Sequence, residues 1–240
     1  MSDLESPVTE HHLTVKRTAR YCTLGDVAAP VSDLWIVCHG FAQLARAFIE
    51  EFRPIAGAGR LIVAPEALNR FYLNREGGRA GASARVGATW MTREDRLAEI
   101  DDYVRYLDDL YREVTERQPR DVRVTALGFS QGTATVARWL VHGAARIDRL
   151  VLWAGLLPPE IDLAGPYSDR LSSTELILVR GTRDEMPDPQ QLQAQHEALV
   201  KAGIRARVLE FDGGHRMDRD TLVRVADNSA AKSRTSEFGA

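Results

Sequence analysis

Short apolar runs alternating with longer amphipathic ones constrain this chain more than any other feature of it. Leu34–Cys38, Leu61–Ala64, Val122–Leu127, Leu150–Trp153, Leu176–Val179 and Ala206–Phe211 read as strands. Several are apolar on both faces, as strands covered by helices on each side should be. Between them, Arg93 to Glu116 reads as the clearest helix, with Leu97, Ile100, Val104, Leu107, Leu110, Tyr111 and Val114 in one apolar stripe at helical spacing. Thr92 with Asp95 three residues on resembles a capping box, and Pro119 marks the exit. Ala45–Ile55, Gln131–Val141, Pro189–Ala202 and Asp218–Ala226 read as shorter helices, and Leu13 to Thr23 as an extra strand or hairpin at the N-terminal edge. The alternation predicts an α/β architecture: a mostly parallel central sheet with right-handed crossovers and helices on both faces.

The length of 240 residues suits one such domain, read here over 1–227, followed by a loose or disordered tail from Asn228 to Ala240. An apolar share of 44% is enough for a sizeable core. A net charge of -3 and the lack of a basic stripe speak against nucleic acid as a partner. No apolar run approaches the ~20 residues of a membrane span. The stretch Met1 to His12 is polar and lacks the apolar core of a secretion signal, so a cytoplasmic location is expected. The two cysteines, Cys22 and Cys38, have no metal-ligand spacing and read as small buried thiols rather than a disulfide.

In sheets of this kind, sites lie beyond the carboxyl ends of the strands. After Val122–Leu127 comes Gly128-Phe129-Ser130-Gln131-Gly132, a G-x-S-x-G pattern leading straight into a helix. A serine on so sharp a turn is pushed into strained backbone that only glycine-sized neighbours tolerate, and its hydroxyl is exposed at the positive end of the helix. Serine is a poor nucleophile near neutral pH and needs a base within hydrogen-bond reach. Of six histidines, only His196 and His215 follow Trp153. His196 lies in a charged helical run, whereas His215 follows the strand Ala206–Phe211 in Asp212-Gly213-Gly214-His215, so His215 is the base expected. An acid must hold its imidazole in one tautomer. Asp184, just after Leu176–Val179, is the preferred candidate; Glu185, Asp188 and Asp212 compete, while Asp162 and Asp169 precede that strand.

Acyl transfer also generates an oxyanion, which two backbone N–H groups stabilise. Gln131 supplies one, and the loop His39-Gly40-Phe41-Ala42 after the first long strand supplies the other, through Phe41. His39 is expected to brace that loop. Gly40, Ala42, Trp90, Met91 and Met186 are the candidate pocket residues, although Trp90 and Met91 read equally well as a cap on the core at the start of the long helix. Phe71, Tyr72 and Trp153 have similar standing. The stretch Gly77 to Gly87, with Arg75, Arg79 and Arg85 in and around it, reads as a flap or a solvated loop.

His39-Gly40, Gly128-Phe129-Ser130-Gln131-Gly132, Asp184 and Gly214-His215 together resemble the phospholipase/carboxylesterase family of α/β-hydrolases, which includes the acyl-protein thioesterases. The resemblance implies the α/β-hydrolase fold and a cofactor-free, metal-free serine carboxylesterase. Its triad would be Ser130, Asp184 and His215, its substrates small-molecule esters with short- to medium-chain acyl groups. A homodimer is compatible with it. The segment Phe41-Ala42-Gln43-Leu44 departs from the family's acidic, glycine-containing stretch, and Thr89-Trp90-Met91-Thr92 echoes its tryptophan segment only loosely. Thioesterase, lactonase and peptidase activity proceed by the same acyl transfer and stay open, as does a binding protein that keeps the fold without chemistry.

Overall fold

The computed structural model describes residues 8–57, 59–73 and 84–227. In chain order these form β1 (Tyr21–Leu24), β2 (Asp33–Cys38), α1 (Ala45–Phe48), a 3-10 segment (Ile49–Ile55), β3 (Arg60–Pro65), β4 (Asn69–Tyr72), β5 (Val86–Thr89) and α2 (Arg96–Thr115). Then follow β6 (Arg123–Phe129), α3 (Gln131–His142), β7 (Arg149–Trp153), α4 (Ser168–Ser172), β8 (Glu175–Gly181), α5 (Pro189–Lys201), β9 (Ala206–Phe211) and α6 (Arg219–Ala226). Seven strands make one sheet in the order β1-β3-β2-β6-β7-β8-β9, parallel throughout except for β1, which runs antiparallel to β3. The fold is that of the α/β-hydrolases.

Two apolar layers follow from the period-2 geometry of the strands. Leu34, Ile36 and Cys38 of β2, Leu61 and Val63 of β3, and Val124 and Ala126 of β6 pack on the side covered by α2 and α3. Their alternates Trp35, Val37, Ile62, Ala64 and Leu127 pack on the other side against Phe48, Phe52, Ile55 and, from α6, Leu222 and Val225. Fully burying each large apolar side chain contributes about 1.5–3 kcal/mol, which is why strands apolar on both faces hold the centre of the sheet. β3 lies between β1 and β2. Cys22 and Cys38 are accordingly free thiols, Cys38 buried and Cys22 half-buried. Burial pushes the Cys38 thiol pKa up.

Several expectations need correction. Residues 8–20 form no strand; pairing with β3 begins only at Tyr21, and Leu13 and Val15 are exposed. The helix expected over Ala45–Ile55 tightens into 3-10 geometry after Phe48, with Pro54 inside it. The long helix begins at Arg96 rather than Arg93, because Asp95 sits in the left-handed region (φ 45°) as its N-cap. Thr92 therefore makes no capping box: its hydroxyl accepts from the Glu94 N–H in a local turn, and Leu97 is exposed. The two-stranded β4–β5 sheet and α4 were not anticipated. Of the glycine-rich stretch, Arg85 to Gly87 lead into and form β5, whereas Arg75, Gly77 and Arg79 lie outside the described residues, as does the tail from Asn228. Among the described residues no helix is long and apolar enough to cross a membrane.

Candidate active site

The sheet order reverses between β2 and β6: β3 lies beyond β2 on one side and β7 beyond β6 on the other. This is the topological switch point, where the carboxyl ends of adjacent strands leave a crevice. Cys38 pairs with Gly128 there, so the loop after β2 and the turn after β6 emerge side by side.

Ser130 occupies that turn with φ 53° and ψ −117°, a conformation foreign to residues carrying a Cβ. Its surroundings enforce the geometry. The Ser130 N–H donates to the Trp153 carbonyl (2.9 Å), and its own carbonyl accepts from the Thr133 N–H (3.0 Å) and hydroxyl (2.6 Å). A methyl group at Gly132 would lie 2.2 Å from the Cys38 carbonyl oxygen, so α3 can approach β2 this closely only through glycine.

Asp184 and His215 project from the loops after β8 and β9, on the same rim. The two loops are tied together by Thr182 N–H to the Phe211 carbonyl and Arg183 N–H to the Gly213 carbonyl, both 2.9 Å. His215 Nδ1 lies 3.0 and 3.2 Å from the two carboxylate oxygens of Asp184, whose side chain is only 4% exposed. Asp184 also accepts from the Met186 N–H (3.0 Å). The His215 ring packs on Phe129, the residue before Ser130, with ring centroids 5.0 Å apart. Ser130 and His215 line one open cleft of about 1340 Å³. Of the competing acids, Asp188 caps α5 by accepting from the Gln190 N–H, Asp212 pairs with Arg183 in solvent, and Glu185 lines the cleft, while Asp184 is the one bonded to His215.

The loop after β2 is rigid for identifiable reasons. His39 is buried; its Nε2 accepts from the Ala67 N–H (3.1 Å), so Nδ1 carries the proton and donates to the Gly40 carbonyl (2.8 Å). Burial depresses its pKa, although the Gly40 carbonyl and Glu66 pull the other way. His39 thus braces the loop as a neutral imidazole. The sign of its effect on stability follows: above the ordinary histidine pKa both states are neutral, and as pH falls below it the unfolded chain takes up a proton that the native site resists. Between about pH 7 and about pH 5, wild type is expected to lose more thermal stability than His39→Asn, as read by melting curves. Parallel losses would show that this imidazole does not titrate differently on folding.

Gly40 borders Ser130: a methyl group there would lie 3.3 Å from the serine Cβ. Its N–H donates to Gln43 Oε1 (2.8 Å), leaving Phe41 as the next donor along the loop. Among the described residues, neither the Phe41 nor the Gln131 N–H has a protein acceptor. Phe41 is exposed and stacks on Phe71 (5.3 Å between centroids), with Tyr72, also exposed, following on β4.

The cleft wall differs from the expected one. Met186 lines it, but Gly40, Ala42, Trp90 and Met91 do not. Trp90 is buried and donates from Nε1 to the His39 carbonyl (2.9 Å), so it caps the core behind the loop; Met91 receives Arg138 Nη1 at its sulfur (3.4 Å). Trp153 is also core, its Nε1 donating to the Arg216 carbonyl beside His215. The walls that the sequence did not suggest are residues 154–164, after β7, and one face of α5, including Ala194, Gln195 and Ala198. Gln195 joins them by accepting from the Leu157 N–H (2.6 Å). Glu160 anchors the first wall, accepting from Arg138 Nε and Arg96 Nη2 (both 2.7 Å). Burial opposes its charge, but its own backbone N–H and the two guanidiniums prevail and hold its pKa below the usual carboxylate range. As metal-type ligands, only Glu10, His12 and Asp95 group together among the described residues; all are exposed and none lines the cleft.

A family model described as serine hydrolase (FSH1) matches residues 36–223. No curated protein matches this chain significantly in sequence. Among solved structures, a carboxylesterase from Mesorhizobium loti superposes with a TM-score of 0.66 at 17% identity, covering 89% of this chain and 95% of that one. Acyl-protein thioesterase 2 from Zea mays gives 0.66 at 16% identity, covering 88% and 97%, and the Bacillus cereus carboxylesterase 0.58 at 14%, covering 87% and 92%. At these identities the likeness is one of fold. The family match runs from β2 into α6 and so takes in the serine turn and both later loops; the chain belongs to the FSH1 serine hydrolase family.

Proposed function

We propose that this serine hydrolase is a carboxylesterase cleaving short- to medium-chain acyl esters through an acyl-enzyme. Asp184 accepts a hydrogen bond from His215 Nδ1–H, which leaves Nε2 unprotonated and able to take the hydroxyl proton of Ser130 as its oxygen attacks the ester carbonyl. The Phe41 and Gln131 N–H groups receive the oxyanion. His215 then protonates the departing alcohol, and water, deprotonated by the same imidazole, releases the acid. The observation that carries this reading is the 3.0 Å pair of His215 and a nearly buried Asp184, on a cleft shared with a serine held in strained backbone. The two unmatched N–H groups support it further.

A fluorophosphonate probe, which phosphonylates activated serines, is expected to label the protein with one adduct, located at Ser130 by peptide mass spectrometry. Prior incubation with p-nitrophenyl butyrate should slow labelling. An adduct at any other serine, or none, would remove Ser130 from the nucleophile's role.

A further inference from the structure

The two oxyanion donors come from distant parts of the chain, yet stabilisation by such donors depends on spacing: each must lie about 2.7–3.1 Å from where the oxygen will sit. Something must hold the loop after β2 at a fixed distance from the first turn of α3. Strand β5 and the two residues after it lie between them and bond to both.

On one side they grip the loop. The Ala42 N–H donates to the Ala88 carbonyl (2.9 Å), the Ala88 N–H donates to the Gln43 carbonyl (3.2 Å), and Trp90 Nε1 donates to the His39 carbonyl (2.9 Å). These bonds flank Phe41 on both sides. They also hold Ala42 at φ 65°, a left-handed conformation that a residue with a Cβ keeps only when its surroundings impose it.

On the other side the strap is held by a side chain. The first residue of a helix normally turns a polar side chain to water, but Gln131 spends its amide here. Nε2 donates to the Thr89 hydroxyl (2.8 Å) and to the Met91 carbonyl (3.1 Å), while Oε1 accepts from the Trp90 N–H (3.2 Å). The buried Thr89 hydroxyl completes the clamp by donating to the Met91 carbonyl (2.9 Å).

We infer that the Gln131 side chain is a positioning group for acyl transfer: it fixes residues 89–91, which fix the loop after β2, so that the Phe41 N–H and its own N–H keep one spacing. Gln131 thereby contributes twice, its backbone to the oxyanion and its amide to the partner donor's position. The inference rests on the proposed esterase reading, since a spacing of donors matters only where an oxyanion forms. Loosening the clamp leaves Ser130, His215 and the cleft in place, so ground-state binding should be spared and transition-state stabilisation lost.

The test is steady-state hydrolysis of p-nitrophenyl butyrate by wild type, Ser130→Ala, Gln131→Met, Thr89→Val and Thr89→Ser, with inhibition by butylboronic acid, whose tetrahedral serine adduct is an anion that places a boron-bound oxygen where the oxyanion would sit. For Gln131→Met, kcat is expected to fall about tenfold with KM changed by less than about twofold, and Ki for the boronic acid to rise by the factor lost in kcat. Thr89→Val, of nearly the same shape without the hydroxyl, should lose about threefold and Thr89→Ser recover most of it. Wild-type kcat in Gln131→Met, a rise in KM alone, or a falling kcat with unchanged Ki would each overturn the inference. Should Gln131→Met fail to fold, the Thr89 pair decides, and equal kcat in its two members overturns it. Absence of hydrolysis in wild type, or its persistence in Ser130→Ala, sinks the esterase reading itself. Activity lost in Ser130→Ala but untouched in Gln131→Met sinks only the clamp.

Discussion

Ser130→Ala is expected to lower kcat for p-nitrophenyl butyrate by about 10⁴-fold or more, and Ser130→Gly to lower it equally while unfolding at a higher temperature than Ser130→Ala. The first effect follows from chemistry: without the hydroxyl no acyl-enzyme forms, and only binding and oxyanion stabilisation of a direct water attack remain. The second follows from the backbone. At φ 53° and ψ −117° a residue with a Cβ stores strain of about 1–3 kcal/mol. Alanine keeps the Cβ and the strain; glycine releases it. Glycine also loosens the unfolded chain, which takes back about 0.4–1 kcal/mol, so a net gain of about 1 kcal/mol over alanine is expected. Both magnitudes are readable in one denaturant titration beside one kinetic assay. Undiminished turnover in the alanine variant would show another nucleophile, and a glycine variant less stable than the alanine one would show that the turn is unstrained.

That the turn could be located from sequence reflects how local its causes are. Glycine, serine and glycine at fixed offsets, with a buried strand before and a helix after, leave few backbone paths. The central strands were legible for a similar reason: Leu34–Cys38 and Leu150–Trp153 are apolar at every position, and only a sheet covered on both faces buries them all. The outer parts of the fold were less legible. Leu13 and Val15 have the alternation of a strand, but alternation does not reveal whether a neighbour exists to pair with, and among the described residues the sheet ends at β1. Trp90 and Met91 were poised between cleft and core because a large apolar side chain suits either; a tertiary bond to the His39 carbonyl places Trp90 in the core. The cleft wall at residues 154–164 carries no motif, and it forms a wall only because Gln195 and Arg138, from two different helices, hold it. The clamp of Gln131 on residues 89–91 is of the same kind, a long-range contact between residues with no spacing to announce it.

The acid after β8 offers the clearest separation of role from mere presence, because two carboxylates stand near the same histidine loop. Asp184 is 4% exposed and lies 3.0 Å from His215 Nδ1, whereas Asp212 is 80% exposed and pairs with Arg183. Asp184→Asn keeps shape and volume but turns an amide toward Nδ1. The imidazole is then favoured in the tautomer with its proton on Nε2, where it cannot accept one from Ser130. A fall in kcat of about 10³–10⁴-fold is expected, with KM little changed. Much of the loss should be recovered at high pH, where hydroxide or a minor tautomer takes over as base. Asp212→Asn removes an ion pair in open solvent, worth at most about 1 kcal/mol, and should leave kcat within about twofold of wild type. The comparison is a single pH–rate series on three proteins. If Asp212→Asn were the variant that lost activity and Asp184→Asn the one that kept it, the imidazole would be oriented from the other loop, and the chemistry assigned to this rim of the sheet would have to be rebuilt around a different acid.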